Sequence, residues 1–242
     1  MRSLLTIFAV LFLLTLCEQS IYAQEGEIDS IQKPSVKRFS ASIKGGVSFA
    51  NTTDGLTNYP LYAKNDGGMF TLELRYDLHP KNYVFVTIAH HFLQLDAQKA
   101  SYQLLSEDAY AQQVRLQSKG IGITQFGIGW GNRFCITEKI KIAVAPIVGV
   151  SLLHLPNMTA EIDTQPHTTL TYNSATNLSF YFGAYAAVSY QLANDLFLEL
   201  NLAYTQAKHD IKPTLDTNEA RKTEAWSYQL LTTNAGLTYR LF

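Results

Sequence analysis

Charge is scarce in this 242-residue chain: charged side chains make up 16% of it, against about 25% in an average soluble domain. Neither sign dominates. Nineteen Lys and Arg stand against twenty Asp and Glu, a formal net charge of −1. A chain so balanced offers no basic face on which nucleic acid could be held. Cysteine is nearly absent. Cys17 and Cys135 are too few for a disulfide scaffold. Long apolar runs are missing beyond the first residues. The nearest approach, Ala143 to Leu153, is broken by Pro146 and falls short of the ~20 residues a membrane helix needs. The spacings CxxC, HExxH, GxxxxGK[ST] and GxSxG do not occur, which removes the usual signatures of a zinc ribbon, a zinc protease, a phosphate loop and a serine-hydrolase elbow. What the chain does have is oil and rings: 47% hydrophobic residues, with 14 Tyr and 13 Phe. That content is incompatible with a disordered chain.

The first residues read as an address. A basic start (Met1-Arg2-Ser3) leads into the apolar stretch Leu4 to Leu16, and Ile21-Tyr22-Ala23 offers a small residue before a cut. This is the layout of a secretory signal peptide with cleavage before Gln24. Cys17 raises the alternative of a lipoprotein signal, but Leu16 occupies the place where such a signal has a small residue. Residues 1–23 are therefore expected to be a signal peptide. Residues 24–36, polar and unpatterned, are expected to be a flexible periplasmic leader, and 37–242 the folded domain.

From Lys37 onward the pattern has period two, the mark of a strand with two unlike faces. Phe39, Ala41, Ile43, Gly45, Val47 and Phe49 alternate with Arg38, Ser40, Ser42, Lys44, Gly46 and Ser48. The same alternation recurs over 68–78, 178–190 and 196–204. Noisier segments complete a set of eight at about 83–95, 120–136, 140–153 and 226–242. The segment at 83–95 has two nearly equal faces and cannot be oriented. Pro146 removes a ladder hydrogen bond and predicts a bulge. Gly127, Gly129 and Gly131 share one face, which suggests close packing across an interior. Asn65-Asp66-Gly67-Gly68 reads as a turn.

The connections set the architecture. Short turns lie at 79–82, 137–139 and 193–195, and long polar links at 51–67, 96–119, 155–177 and 206–225. All long links then fall at one end of an antiparallel sheet. The expectation is an all-β, eight-stranded antiparallel up-and-down transmembrane β-barrel with short periplasmic turns. A soluble barrel with its oily face inward is the competing reading. Aromatic residues at the short-turn ends favour the membrane, as a ring of side chains at the lipid–water boundary: Phe39, Tyr76, Tyr83, Phe134, Tyr190, Phe197 and Tyr239.

The signal-like start, the eight alternating segments and the ending Gly236-Leu237-Thr238-Tyr239-Arg240-Leu241-Phe242 resemble small outer-membrane β-barrel proteins, the porin-like kind of Gram-negative bacteria. The resemblance implies the outer membrane as the location and a terminal Phe242 read by the barrel-insertion machinery. The apolar set of the last segment is offset from Phe242 by one residue, which a bulge near the terminus would explain.

By parity the polar face holds Lys44, Glu73, Arg75, Asp77, Arg133 and Glu199. Charges in a narrow interior require partners, so these six are expected to form an ion-pair network, as a structural plug or as the lining of a small pore. His90-His91 is the pair most suggestive of chemistry, with Asp96 and Ser101 near in sequence, but adjacent strand residues face opposite ways. No catalytic residue, cofactor or metal is assigned. The expected role is structural, adhesive or surface-interacting. A narrow passive pore, a lipid-modifying enzyme and an accessory barrel of a secretion machine are the alternatives. The expected partners are outer-membrane lipid and a protein met at the surface or in a secretion machine, with the chain itself a monomer.

Overall fold

The computed structural model describes residues 38–52, 63–107, 114–163, 168–211 and 224–241. The expected signal peptide with Cys17, the leader, and Phe242 lie outside these residues.

Eight strands close into one barrel: β1 (Phe39–Thr52), β2 (Ala63–His79), β3 (Asn82–Leu95), β5 (Ile121–Cys135), β6 (Ile140–Leu155), β9 (Ala175–Ala193), β10 (Leu196–Ile211) and β11 (Glu224–Arg240). Each barrel strand pairs antiparallel with the next in the chain, and β11 closes onto β1 through pairs such as Ile43↔Leu237. The all-β, up-and-down barrel is thus the observed architecture. Closure leaves no unpaired edge, the condition for a sheet to sit in lipid.

Period two sets the faces, and the oily face is outside. Ile43, Leu74, Ile128, Phe180 and Leu200 are exposed, Phe180 at 82%, while Lys44, Glu73, Gln125 and Glu199 are buried. A soluble barrel would invert this arrangement. The observed one is that of a transmembrane barrel in a bacterial outer membrane. Strands of 14 to 19 residues exceed the ~9–11 that cross the bilayer. The surplus stands above the lipid on the long-loop side, where outward positions turn polar: Asn51, Gln94, Gln206, Lys208 and Gln229.

Several local expectations are corrected. Pro146 makes no bulge. The β6–β9 register runs unbroken through Pro146↔Ala184, and on the β5 side two rungs are skipped between Ile147 and Val144 without a shift. Pro146 points outward, so the missing N–H is absorbed as a local gap. The last strand has no bulge either. Its register with β1 and β10 is constant, and Leu237, Tyr239 and Leu241 face out. Asp66-Gly67-Gly68 belongs to β2 as part of an irregularity between Ala63 and Gly67, not to a turn.

The long links carry structure of their own. The span 96–119 holds α1 (Ala97–Glu107) and β4 (Val114–Ser118), and 155–177 holds β7 (Met158–Ile162) and β8 (Thr168–Tyr172). These three short strands form a separate sheet in the order β4-β7-β8. Asp96 caps α1, its Oδ1 accepting from the Lys99 amide at 3.1 Å, as an N-terminal Asp does in satisfying an orphan donor.

Candidate functional site

The interior can be followed upward from the short-turn end. At the bottom the Phe197 ring lies inside, 5% exposed, with the Arg240 guanidinium 4.8 Å and the Lys141 ammonium 5.6 Å from its centre. Above it Arg133 grips Asp77 with two hydrogen bonds, both of 3.1 Å. Tyr83 is fully buried and lies under two cations at once, Arg75 at 5.3 Å and Arg133 at 4.9 Å. Such contacts attract a desolvated guanidinium to the ring face.

Next comes a closed four-member cluster. Lys44 Nζ lies 3.2 Å from Glu73 Oε2 and 3.1 Å from Glu199 Oε2. Turned so that its oxygen faces Lys44, the Asn201 amide accepts a third bond at 2.7 Å. Arg75 donates through Nε to Glu73 and through Nη2 to Glu199 Oε2 at 2.7 Å. Ser189 adds a donor to Glu199 Oε1 at 3.1 Å. Two bases and two acids cancel, and each N–H of Lys44 has an acceptor. Pairing of this completeness is what a dry interior demands of charges.

All six residues singled out from parity face inward. Lys44, Glu73, Arg75 and Glu199 meet in the one cluster. Asp77 and Arg133 form the separate pair below, and Tyr83 is the common wall between the two.

A third tier is uncharged. Gln125 Nε2 donates to Thr205 Oγ1 at 3.1 Å and to the Tyr228 hydroxyl at 3.0 Å. Its oxygen is thus left to accept from His91 Nε2 at 3.3 Å. That places the proton of a neutral His91 on Nε2, so Nδ1 accepts from Ser48 Oγ at 2.8 Å. The Tyr228 hydroxyl goes on to Ser151 Oγ at 2.6 Å. The chain of bonds touches six of the eight barrel strands.

Above this tier the lumen turns oily. Ile121, Ile123, Leu153, Leu155 and Trp226 are buried there. The same core continues into Leu104 of α1, Val114 of β4, Met158 and Ala160 of β7 and Tyr172 of β8. The barrel mouth and the structured parts of two long links therefore share one hydrophobic core, which seats a cap on the barrel.

Sequence reasoning missed two things here. Tyr83 and Phe197 were expected at the lipid boundary, yet both point into the lumen. The parity of β10, with Glu199 and Asn201 inward, already placed Phe197 inside. For Tyr83 the missing signal was the orientation of β3. The structure supplies it: Tyr83, Phe85, Thr87, Ala89, His91 and Leu93 face in. His90 and His91 accordingly part, His91 into the lumen and His90 to the outer wall. The glycines of β5 make room for the rings. A Cβ on Gly131 would collide with the Tyr83 ring, one on Gly129 with Phe85, and one on Gly127 with the Tyr181 hydroxyl.

No family model matches the chain, and no curated protein does. Solved structures do. The attachment invasion locus protein Ail of Yersinia pestis aligns at a TM-score of 0.44 and 12% identity, over 84% of this chain and 99% of that one. A major outer membrane protein of Thermus thermophilus aligns at 0.45 and 14%, over 84% and 99%. The outer membrane protein OprG of Pseudomonas aeruginosa aligns at 0.44 and 13%, over 84% and 96%.

Proposed function

We propose that this protein is a plugged outer-membrane barrel that works at the cell surface, holding a folded cap outside the membrane for contact with other molecules, rather than a conduit. The observation that carries the reading is a lumen filled by buried side chains. A water path would leave its lining exposed, whereas Lys44, Tyr83, Phe85, Ser151, Glu199 and Trp226 are each 2% exposed or less. Eight strands enclose a space that side chains alone can fill. The six charged residues serve in this reading as a structural network. The shared core beneath the cap supports a surface role, since binding residues concentrate on loops held by a rigid scaffold.

The experiment is conductance in a planar bilayer. The purified, refolded protein should give no discrete current steps, and a Glu73→Ala variant should unfold at lower temperature. Stable single-channel steps from the unaltered protein would refute the plug and install the narrow pore in its place.

A further inference from the structure

The outer wall carries a notch of about 430 Å³ at the upper edge of the oily belt. It spans four adjacent strands, and its rim is polar where the wall below is oily. His90 on β3, Thr124 on β5, His154 on β6 and Thr176 on β9 all line it. Each histidine is tied by its Nδ1 to a threonine hydroxyl, His90 to Thr124 at 2.8 Å and His154 to Thr176 at 3.0 Å. Among the described residues neither Nε2 has a hydrogen-bond partner. Gly122 keeps the space between the two rings open. A Cβ there would meet only ordinary contacts, 3.5 Å from the His90 ring and 3.6 Å from the His154 Cβ. Leu152 leads down from the rim into the lipid-facing surface, and Phe92, 55% exposed, stands above His90 with its ring centre 4.3 Å from the imidazole.

In the tautomer in which the threonine hydroxyl donates to Nδ1, each imidazole presents its Nε2 as an N–H donor. Two such donors beside a glycine gap suit an anion rather than a cation. The notch opens sideways, so its occupant must have an anionic group at headgroup depth and chains that lie along the barrel wall. We propose that the notch binds the phosphate group of an outer-leaflet membrane lipid. The histidines hold the phosphate, and Leu152, below His154 on β6, receives the upper part of an acyl chain. This assignment depends on the outward oily face but not on the plugged lumen, so a conducting barrel would leave it standing.

The test uses the refolded full-length protein in uncharged detergent micelles and counts bound adducts by native mass spectrometry. Three probes are offered: bisphosphorylated lipid A, the same glycolipid stripped of its phosphates, and inorganic phosphate. One lipid A should be retained per barrel, with the stripped form held about tenfold less, the scale of one or two lost charge-assisted hydrogen bonds. Inorganic phosphate should leave no adduct. His90→Ala with His154→Ala should cut lipid A retention about tenfold. Gly122→Leu fills the notch from the outside without touching the lumen and should do the same. Compact mobility on an unboiled gel identifies folded protein for either variant. Equal retention of both glycolipids, or retention unchanged in both variants, would overturn the proposal. An adduct of phosphate alone would reassign the notch to a free anion and overturn the lipid.

Discussion

Arg75 on β2 reaches across the lumen to Glu199 on β10 and takes both of its carboxylate oxygens, at 2.5 and 2.7 Å. The two strands are not neighbours, since β1 and β11 stand between them in the closed order. The pair therefore braces two walls that are not adjacent, a task the backbone ladder cannot perform because it links only neighbouring strands. Lys44 and Glu73 close the brace into a neutral group of four, with no net charge left in the dry interior.

That neutrality sets the outcome of a single substitution. Glu199→Gln keeps the shape but leaves Lys44 and Arg75 facing one carboxylate. Breaking one side of a buried pair costs about 3–5 kcal/mol, so the urea midpoint for unfolding from lipid vesicles should fall markedly. Removing one charge of each sign, as Arg75→Met with Glu199→Met, leaves Lys44 paired with Glu73 and should recover much of that loss. An unchanged midpoint for Glu199→Gln would show that the cluster is hydrated and weak.

The glycine face of β5 gives a second, steric prediction. Gly131→Ala drives a methyl into the Tyr83 ring, which is held by Arg75, Arg133 and a 2.6 Å hydroxyl contact with Tyr185. Overpacking at so fixed a ring should cost about 1–3 kcal/mol. Gly68→Ala, where a Cβ would meet nothing within 4 Å, should stay within about 0.5 kcal/mol of the parent. Pairing Gly131→Ala with Tyr83→Leu should cost less than the sum of the two, because the clash needs both partners. Strict additivity in the vesicle unfolding assay would deny the contact.

The barrel itself was legible because lipid imposes a rule on every strand: oily out, polar in. Ile43 beside Lys44, and Leu74 between Glu73 and Arg75, carry that rule in a form that parity alone can read. β3 defied it because its lumen face holds Tyr83, Phe85 and Leu93 where other strands hold polar groups. Inside a plugged barrel, rings are as acceptable as ions once glycines opposite make space. The cap was not legible for a related reason. Strands of five residues such as Met158–Ile162 show too few alternations to stand out from a polar link, and their pairing with β4 joins segments about forty residues apart. The lipid-side notch was hidden as well. His90, Thr124, His154 and Thr176 come from four strands, and only the closed register brings them side by side.

That pairing within the cap can be tested directly. Gln117 and Thr159 are opposite one another in the β4–β7 register, and directly opposed Cβ atoms lie about 4.5–5.5 Å apart. With Cys135→Ser as background, Gln117→Cys and Thr159→Cys together should form a disulfide under mild oxidation, seen as a shift in gel mobility that a reductant reverses. Gln117→Cys with Thr171→Cys should not, because Thr171 pairs with Thr159 across β7 and lies a strand farther away. Crosslinking of the second pair in preference to the first would overturn the strand order of the cap.

Cys135 reports on which end faces out. It is exposed at the end of β5, beside the short turn to β6, and short turns face the periplasm in barrels of this kind. A maleimide carried on a polymer too large for porins should leave Cys135 untouched in intact cells and label it once the outer membrane is opened. Thr159→Cys in the Cys135→Ser background lies on the cap, so it should label in intact cells with no such treatment. Reversal of the two patterns would turn the barrel upside down and place the cap in the periplasm, where a surface role is impossible. The Cys135→Ser protein alone sets the background, since any labelling it retains comes from elsewhere in the chain.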